Sequence, residues 1–308
     1  MELKPVRLAI SLGDPRGIGP EVTIAATRKL RAQGTATFVF VGPDDSPARP
    51  FADQYISVGS YRADSEASAG LVAGLAIEKA VELVTRGEVD AIVTAPIDKH
   101  ALHEGGYNFP GHTELLAHLA GDVPVVMMLA AEATALGGAL RVVLATTHIP
   151  LAQVPRAVTS DLLVEQVEIS ARALHTGWQL AAPRVALCAF NPHASDGGLF
   201  GDEEKRVYQP AIARLRASGI NVSDPLPADT VFLRAARGEF DVVVAPYHDV
   251  GMAAFKTAAF GQGVNVTLGL PFVRTSPDHG TAFDIAGQGA ADSSSMEEAI
   301  RLAIRLVK

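Results

Sequence analysis

Three histidines each follow an apolar, strand-like run of the chain. The run VVLATTH ends at His148, VALCAFNPH at His193 and VVVAPYH at His248. Open α/β sheets place their chemistry at the carboxyl ends of the strands, so side chains from three strands can converge there. Three imidazoles with an open fourth position form a catalytic divalent-metal site. Each histidine taken alone is better explained as a hydrogen-bonded core or surface residue, but the similar positions of the three favour the metal hypothesis.

Donors suited to an anionic substrate lie in three other segments. In GHTE, His112 and Thr113 begin a predicted helix, where two adjacent donors suit a phosphate or a carboxylate, although capping by Thr113 would also explain them. Asn265 and Arg274 interrupt apolar runs, and arginine binds such anions bidentately. A surface Arg274 without a partner is the alternative. Lys256 lies two turns into a predicted helix.

The segment SLGDPRGIGPE (11–21) predicts a glycine-rich turn between a strand and a helix. Its glycines permit close backbone approach, and a helix start can hold an anion. The segment matches neither the dinucleotide fingerprint nor the P-loop, and a simple tight turn explains it equally well.

Apolar runs alternate with helical patterns along most of the chain. Near-continuous apolar runs indicate strands buried on both faces. We therefore predict an α/β protein with mostly parallel sheets flanked by helices. We expect residues 1–308 to form a single two-lobed catalytic unit whose lobes share chain crossings. The eight predicted strands are 6–12, 36–42, 90–96, 123–129, 140–147, 184–190, 241–247 and 264–270.

Composition excludes several classes of protein. The formal net charge of −8 gives no electrostatic support for nucleic-acid binding. No apolar run reaches the length of a membrane span, and the N-terminus MELKPVRLAISLGDP leads directly into a strand rather than a signal peptide. The single cysteine, Cys188, cannot form an internal disulfide and reads as a buried core residue. We expect a cytoplasmic protein.

Seven segments together resemble the PdxA family, the 4-hydroxythreonine-4-phosphate dehydrogenases of vitamin B6 synthesis. They occur in the family's order and extend from residue 11 to about residue 290. The segments are GDPRGIGPE, TAPIDKHALHEGGYNFPGHTE, TTHIPL, NPHASDGGLFGDEE, PLPADT, YHDVGMAAFK and GVNVTLGLPFVRTSPDHGTAFDIAG.

The resemblance implies a fold shared with isocitrate and isopropylmalate dehydrogenases, and a homodimer whose active site takes residues from both subunits. It implies NAD or NADP as cofactor together with a divalent metal such as zinc, cobalt or magnesium. The wider group carries a loop near its NAD site that His279–Gly287 resembles. The implied roles are metal binding by His148, His193 and His248, substrate contact by His112, Thr113, Lys256, Asn265 and Arg274, and cofactor contact by Asp278, His279, Gly280, Thr281 and Asp284.

The reaction implied is oxidation of 4-phosphohydroxy-L-threonine at its hydroxyl, followed by decarboxylation to 3-amino-2-oxopropyl phosphate. A bound metal would lower the pKa of that hydroxyl, and Lys256 and Asp249 are the candidate bases. Three alternatives remain open: oxidation of 4-phospho-threonate or 4-phospho-erythronate, a phosphate acyltransferase that needs neither metal nor NAD, and a non-catalytic binding protein.

Overall fold

The computed structural model of the protein describes residues 4–308. The first three residues of the segment predicted to lead into the first strand lie outside the described residues. The strands are β1 (Val6–Ser11), β2 (Ala36–Gly42), β3 (Gln54–Ser57), β4 (Ala91–Thr94), β5 (Val126–Ala131), β6 (Leu140–Leu144), β7 (Val185–Cys188), β8 (Val222–Leu226), β9 (Val242–Ala245), β10 (Val264–Leu268) and β11 (Val273–Pro277).

Helices separate most of these strands. A single π-helical turn, Glu204–Tyr208, leads directly into the seventh helix. The α-helices are α1 (Gly19–Arg31), α2 (Glu66–Thr85), α3 (Lys99–Glu104), α4 (His112–Leu119), α5 (Val154–Ala157), α6 (Ser160–Gly177), α7 (Gln209–Ala217), α8 (Ala228–Ala236), α9 (His248–Ala259) and α10 (Ser294–Leu306).

All eight predicted strands are confirmed, and the α/β class with mostly parallel pairing is confirmed with them. The sequence patterns missed β3, β8 and β11. The first two are partly exposed and carry polar residues, so they lack a continuous apolar run. The third contains a buried arginine between apolar and hydroxyl residues, which hides the pattern in the same way.

The chain divides into two compact units. The first combines the chain up to Val125 with Leu270–Lys308. Its strands are ordered β3-β2-β1-β4-β11, and every neighbouring pair is parallel. Ala9 of β1 lies beside Val39 of β2 and Ile92 of β4. The three side chains belong to one buried cluster with Ile77 of α2. Parallel pairing therefore brings the carboxyl ends of β1, β4 and β11 to one edge of this sheet.

The second unit is Val126–Gly269. Its strands are ordered β10-β5-β6-β9-β7-β8. The pairs β10–β5 and β5–β6 are antiparallel, while β6, β9, β7 and β8 run parallel. Because β6, β9 and β7 are parallel neighbours, their carboxyl ends meet at one edge. These are the three strands that precede the candidate metal histidines.

The core of the second unit confirms the interpretation of Cys188. The thiol is fully buried with Val243 of β9, Val231 of α8 and Phe255 of α9. Burial, reinforced by the charge of Glu204, raises the pKa of Cys188 to about 12, so the side chain stays a neutral thiol at physiological pH. Within residues 4–308, no helix is long and apolar enough to span a membrane.

Candidate active site

Two of the three candidate metal ligands lie side by side. The rings of His148 and His248 have centroids 5.6 Å apart, since β6 and β9 are parallel neighbours. His248 is the first residue of α9, and its Nδ1 lies 2.8 Å from Asp249 Oδ1. A carboxylate on one ring nitrogen fixes the tautomer and directs the other nitrogen toward a ligand. This pair of imidazoles could therefore supply two of the ligands of a metal ion.

His193 lies on an exposed loop with an unusual backbone. Residues 193–197 all have positive φ, with His193 at 53°, Ala194 at 55°, Ser195 at 69°, Asp196 at 43° and Gly197 at 69°. Four of these are not glycine, and each such residue in the left-handed region costs roughly 1–2 kcal/mol. Strain of this kind persists only where surrounding contacts fix it, and it concentrates at functional sites.

Glu204 supplies contacts that fix this loop. Its Oε1 accepts hydrogen bonds from the backbone N–H of Phe190 at 2.9 Å and of Asn191 at 2.7 Å. Its Oε2 accepts from Asn191 Nδ2 at 2.9 Å and from the hydroxyl of Ser195. Burial by itself would raise the pKa of Glu204, but the hydrogen bonds from Ser195 and Asn191 outweigh it and hold the pKa below its usual value. The carboxylate is therefore ionised at neutral pH.

The three histidines do not form a compact ligand group within one chain. Among the described residues, the group of three potential metal ligands with atoms within 4.8 Å of one another is instead Glu66, Asp98 and His100. Arg16 forms ion pairs with two members of that group, because its guanidinium lies 3.2 Å from Glu66 and 3.9 Å from Asp98. A cation thus neutralises these carboxylates, and we interpret the group as an ion-pair cluster.

Arg274 is the largest fully buried side chain, with 2% of its surface exposed. It lies on β11 beside β4, and Thr94 Oγ1 accepts hydrogen bonds from its Nε at 3.2 Å and its Nη2 at 2.5 Å. Burial lowers the pKa of Arg274 to about 9, partly opposed by Glu114, so the guanidinium remains charged at pH 7. The interpretation of Arg274 as a surface residue is excluded. A buried guanidinium suits an anionic ligand.

His112 lies in the same unit and has a buried, unpaired nitrogen. Its Nε2 contacts no hydrogen-bond partner among residues 4–308. Burial, followed by the charges of Arg274 and Lys99, lowers the pKa of His112 well below its usual value, so the ring is neutral at pH 7. Gly111 is the capping position of α4 and Thr113 lies in the first turn, so the capping role considered for Thr113 is wrong.

The remaining candidates from the second unit occupy α9 and β10. Lys256 lies in the last turn of α9 with its ammonium 5.9 Å from the centre of the Phe260 ring. Asn265 faces Leu129 across the β10–β5 pair, and its Oδ1 is buried without a hydrogen-bond partner in the described structure. Such an orphaned amide oxygen is costly unless a ligand or water donates to it.

The five candidate cofactor residues lie on a loop between β11 and α10. The loop rests on the glycine-rich turn, because Ile18 N–H donates to the carbonyl of Thr281 at 2.9 Å and a Cβ on Gly17 would meet that carbonyl at 2.8 Å. Glu21 Oε2 accepts from the backbone of Gly287 at 3.1 Å and Gly289 at 3.2 Å. Gly17 therefore permits close packing of this loop. Of the five, Asp278, His279 and Thr281 are half-buried, while Gly280 and Asp284 are exposed.

Sequence reasoning missed Thr94, Glu204 and Glu21. Thr94 ends β4 and shares the strand-exit position that identified the histidines, so the same signal would have found it. Glu21 and Glu204 each follow a glycine-rich segment of the chain. Nothing in the local sequence shows that each carboxylate turns back onto a loop.

The family comparison covers almost the whole chain. The family model described as pyridoxal phosphate biosynthetic protein PdxA matches residues 23–303. A 4-hydroxythreonine-4-phosphate dehydrogenase from Paracoccus denitrificans is 46% identical over 322 residues, covering 98% of this chain and 97% of that protein. A second, from Ruegeria sp., is 43% identical and covers 99% of this chain and 98% of its own length.

A solved structure agrees with these matches. The crystal structure of 4-hydroxythreonine-4-phosphate dehydrogenase from Klebsiella pneumoniae superposes with a TM-score of 0.87 at 37% identity, covering 98% of this chain and 100% of that one. The near-complete coverage, shared identity and common fold agree with the motifs noted in the sequence. The chain belongs to the PdxA family.

Proposed function

We propose that this protein is an NAD(P)-dependent, metal-dependent dehydrogenase that converts 4-phosphohydroxy-L-threonine to 3-amino-2-oxopropyl phosphate in pyridoxal phosphate biosynthesis. The observation that carries the proposal is the near-full-length match to relatives named for this activity. A bound nicotinamide would accept the hydride removed from the hydroxyl carbon, and a base of the protein would take the hydroxyl proton. Loss of carbon dioxide from the β-keto acid so formed, with uptake of a proton at the carbon left behind, would give the ketone product.

The metal would be held by His148, His193 and His248. The donor set fits, because two of the imidazoles already lie together and Asp249 orients one of them. We propose that the three histidines converge on one ion in a homodimer whose active site takes residues from both subunits, with His248 acting in the site of the other subunit. A divalent ion there supplies Lewis acidity to the substrate hydroxyl and the ketone formed from it. Imidazole ligands suit zinc or cobalt better than magnesium.

The substrate's two anionic groups would be held by the buried cation and its neighbours. Arg274 offers a charged fork, and neutral His112 can accept from, or in its other tautomer donate to, the ligand. Thr113, Lys256 and Asn265 complete the proposed substrate contacts. We propose that both units act on one substrate as a single catalytic unit.

Lys256 is the favoured base. Asp249 lies against His248 Nδ1 with 82% of its side chain exposed, an arrangement suited to orienting the imidazole. That role leaves Lys256 to take the hydroxyl proton as the general base. The nicotinamide nucleotide would contact the loop bearing Asp278, His279, Gly280, Thr281 and Asp284, which Glu21 and the glycine-rich turn hold. We place the enzyme in the cytoplasm, where the lone buried Cys188 needs no disulfide partner.

A substrate panel tests this function. Reduction of NAD and of NADP is followed with 4-phosphohydroxy-L-threonine, 4-phospho-threonate and 4-phospho-erythronate, each with added zinc, cobalt or magnesium and with chelator. We expect the amino acid phosphate to be oxidised fastest, with turnover abolished by chelation. Faster oxidation of either hydroxy acid phosphate would reassign the substrate. Turnover that survives chelation would contradict the metal requirement.

A further inference from the structure

The left-handed loop lies within a 3-10 helical segment, Pro192–Gly198. Its ends are joined by further backbone bonds, because Ala194 N–H donates to Asn191 O at 3.2 Å and Phe200 N–H donates to Ser195 O at 3.2 Å. Local backbone bonds do not remove the steric cost of four consecutive non-glycine residues at positive φ. Contacts from outside the segment are therefore needed to hold it in this conformation.

The Glu204 side chain accepts hydrogen bonds from this loop and from the residues just before it. A carboxylate offers about four acceptor positions, and the four hydrogen bonds that Glu204 accepts come from Phe190, Asn191 and Ser195. These donors bracket His193 on both sides. Glu204 is 5% exposed, so water does not compete strongly for the carboxylate. Glu204 is the first residue of the π-helical turn that precedes α7.

We propose that Glu204 is a positioning residue that holds segment 193–197 in the left-handed conformation that presents His193 to the metal. This inference rests on the proposed metal site. Hydrogen-bonding partners outside the ligand shell orient metal ligands, and replacing them weakens metal affinity. Here the partner acts through the backbone on either side of the ligand, because Glu204 accepts no hydrogen bond from the His193 side chain in the contacts described.

The test is cobalt binding to the purified full-length protein, followed by visible absorption and by equilibrium dialysis. In Glu204→Gln the amide keeps one acceptor oxygen but turns donors toward Asn191 and Ser195. We expect its dissociation constant for cobalt to rise roughly 10- to 100-fold, with an altered cobalt spectrum. Circular dichroism should show an intact fold.

Asp241→Asn is the matched control, because it also removes the charge of a partly buried carboxylate. Asp241 precedes β9 in the same unit and accepts from the Arg184 backbone at 2.7 Å and from its guanidinium at 2.9 and 3.0 Å. It lies at the amino end of β9, whereas His248 follows the carboxyl end. We expect this variant to lose stability while retaining wild-type cobalt affinity and spectrum.

A rescue variant separates backbone positioning from a general structural role. Ala194 has φ 55° and ψ 47°, a conformation that glycine adopts freely. In the Glu204→Gln background, Ala194→Gly should recover roughly tenfold in cobalt affinity, because it removes the left-handed penalty of one residue. No recovery would overturn the backbone role. If Glu204→Gln fails to fold, Ser195→Ala removes one donor and provides the same comparison.

His193→Ala distinguishes the two levels of the proposal. Unchanged cobalt affinity in His193→Ala would overturn the metal assignment and the inference built on it. Weakened binding in His193→Ala with wild-type binding in Glu204→Gln would overturn only the role of Glu204. Weakened binding in both, with recovery by Ala194→Gly, supports the inference.

Discussion

Arg274 in the first unit and His193 in the second lie in opposite surroundings. Arg274 is buried and donates to the Thr94 hydroxyl, whereas His193 is exposed on a backbone that is itself unfavourable. Around Arg274 the free-energy cost of the site comes from removing charged and polar groups from water. Around His193 that cost comes from backbone strain, which the hydrogen bonds to a buried carboxylate offset. Each form of cost responds to a different kind of substitution.

Replacement of Arg274 by methionine should give the largest effect. Loss of hydrogen bonds to a charged group, worth about 1.5–3 kcal/mol, should raise the KM for substrate roughly 10- to 100-fold. The free energy of unfolding should change little, because relief of the desolvation of the guanidinium is offset by loss of its hydrogen bonds to Thr94. Steady-state kinetics and chemical denaturation measure both.

Arg141→Met in the second unit is the contrasting variant. Arg141 Nη2 lies 3.1 Å from both oxygens of Glu132, so its loss removes the cation from a carboxylate that Trp178 Nε1 also contacts. We expect lower stability with unchanged KM. If Arg274→Met were the more destabilising of the two, the interpretation of the first unit as the desolvated one would be wrong.

The pH dependence of stability should show the same desolvation at His112. Its pKa is lowered in the folded protein, so below about pH 6.5 the unfolded chain binds a proton that the folded chain does not. Stability should fall with decreasing pH from about 6.5 toward the folded pKa, by at most about 1.4 kcal/mol per pH unit, and this term should be constant above that window.

His112→Gln should flatten that slope in urea denaturation measured between pH 5 and 8. The control is His118→Gln, since His118 is exposed with Asp122 as its neighbour. It should keep the wild-type profile. An identical pH profile for His112→Gln and wild type would show that the buried imidazole does not resist protonation.

Strain in the second unit predicts that Ala194→Gly alone is stabilising. Glycine at this left-handed position should increase the free energy of unfolding by about 1 kcal/mol. The same substitution at Ala211, a buried residue of α7, should be destabilising by about 1 kcal/mol or more. Equal losses at both positions would contradict the strain argument.

The smallest effects are expected at positions where the two units have equivalent contacts. Ser65 caps α2 in the first unit and Thr159 caps α6 in the second, and each side chain accepts a backbone N–H at 3.1 Å. Alanine at either position should cost about 1 kcal/mol of stability. Activity should not change. A markedly larger loss in one unit would mean that ordinary contacts, and not only site residues, distinguish the two.

Much of the fold followed from local patterns. Runs such as ATFVFVG and DVVVAPY are buried, β-branched and bounded by turns, so they predicted β2 and β9 directly. The π turn Glu204–Tyr208 before α7 did not follow from such patterns. The hydrogen bonds of Glu204 join it to residues 9–14 positions away, and no helical periodicity reveals them.

The sequence by itself determined the α/β class, the strand exits that carry histidines and the family to which the chain belongs. These depend on residue types and short spacings that persist in any folded state of the chain. Tertiary structure alone decided that Arg274 is buried against Thr94, that Glu204 clamps the loop of His193 and that Glu21 holds the loop after β11. Such contacts join residues distant along the chain, and their burial and direction exist only once sheets and helices have packed.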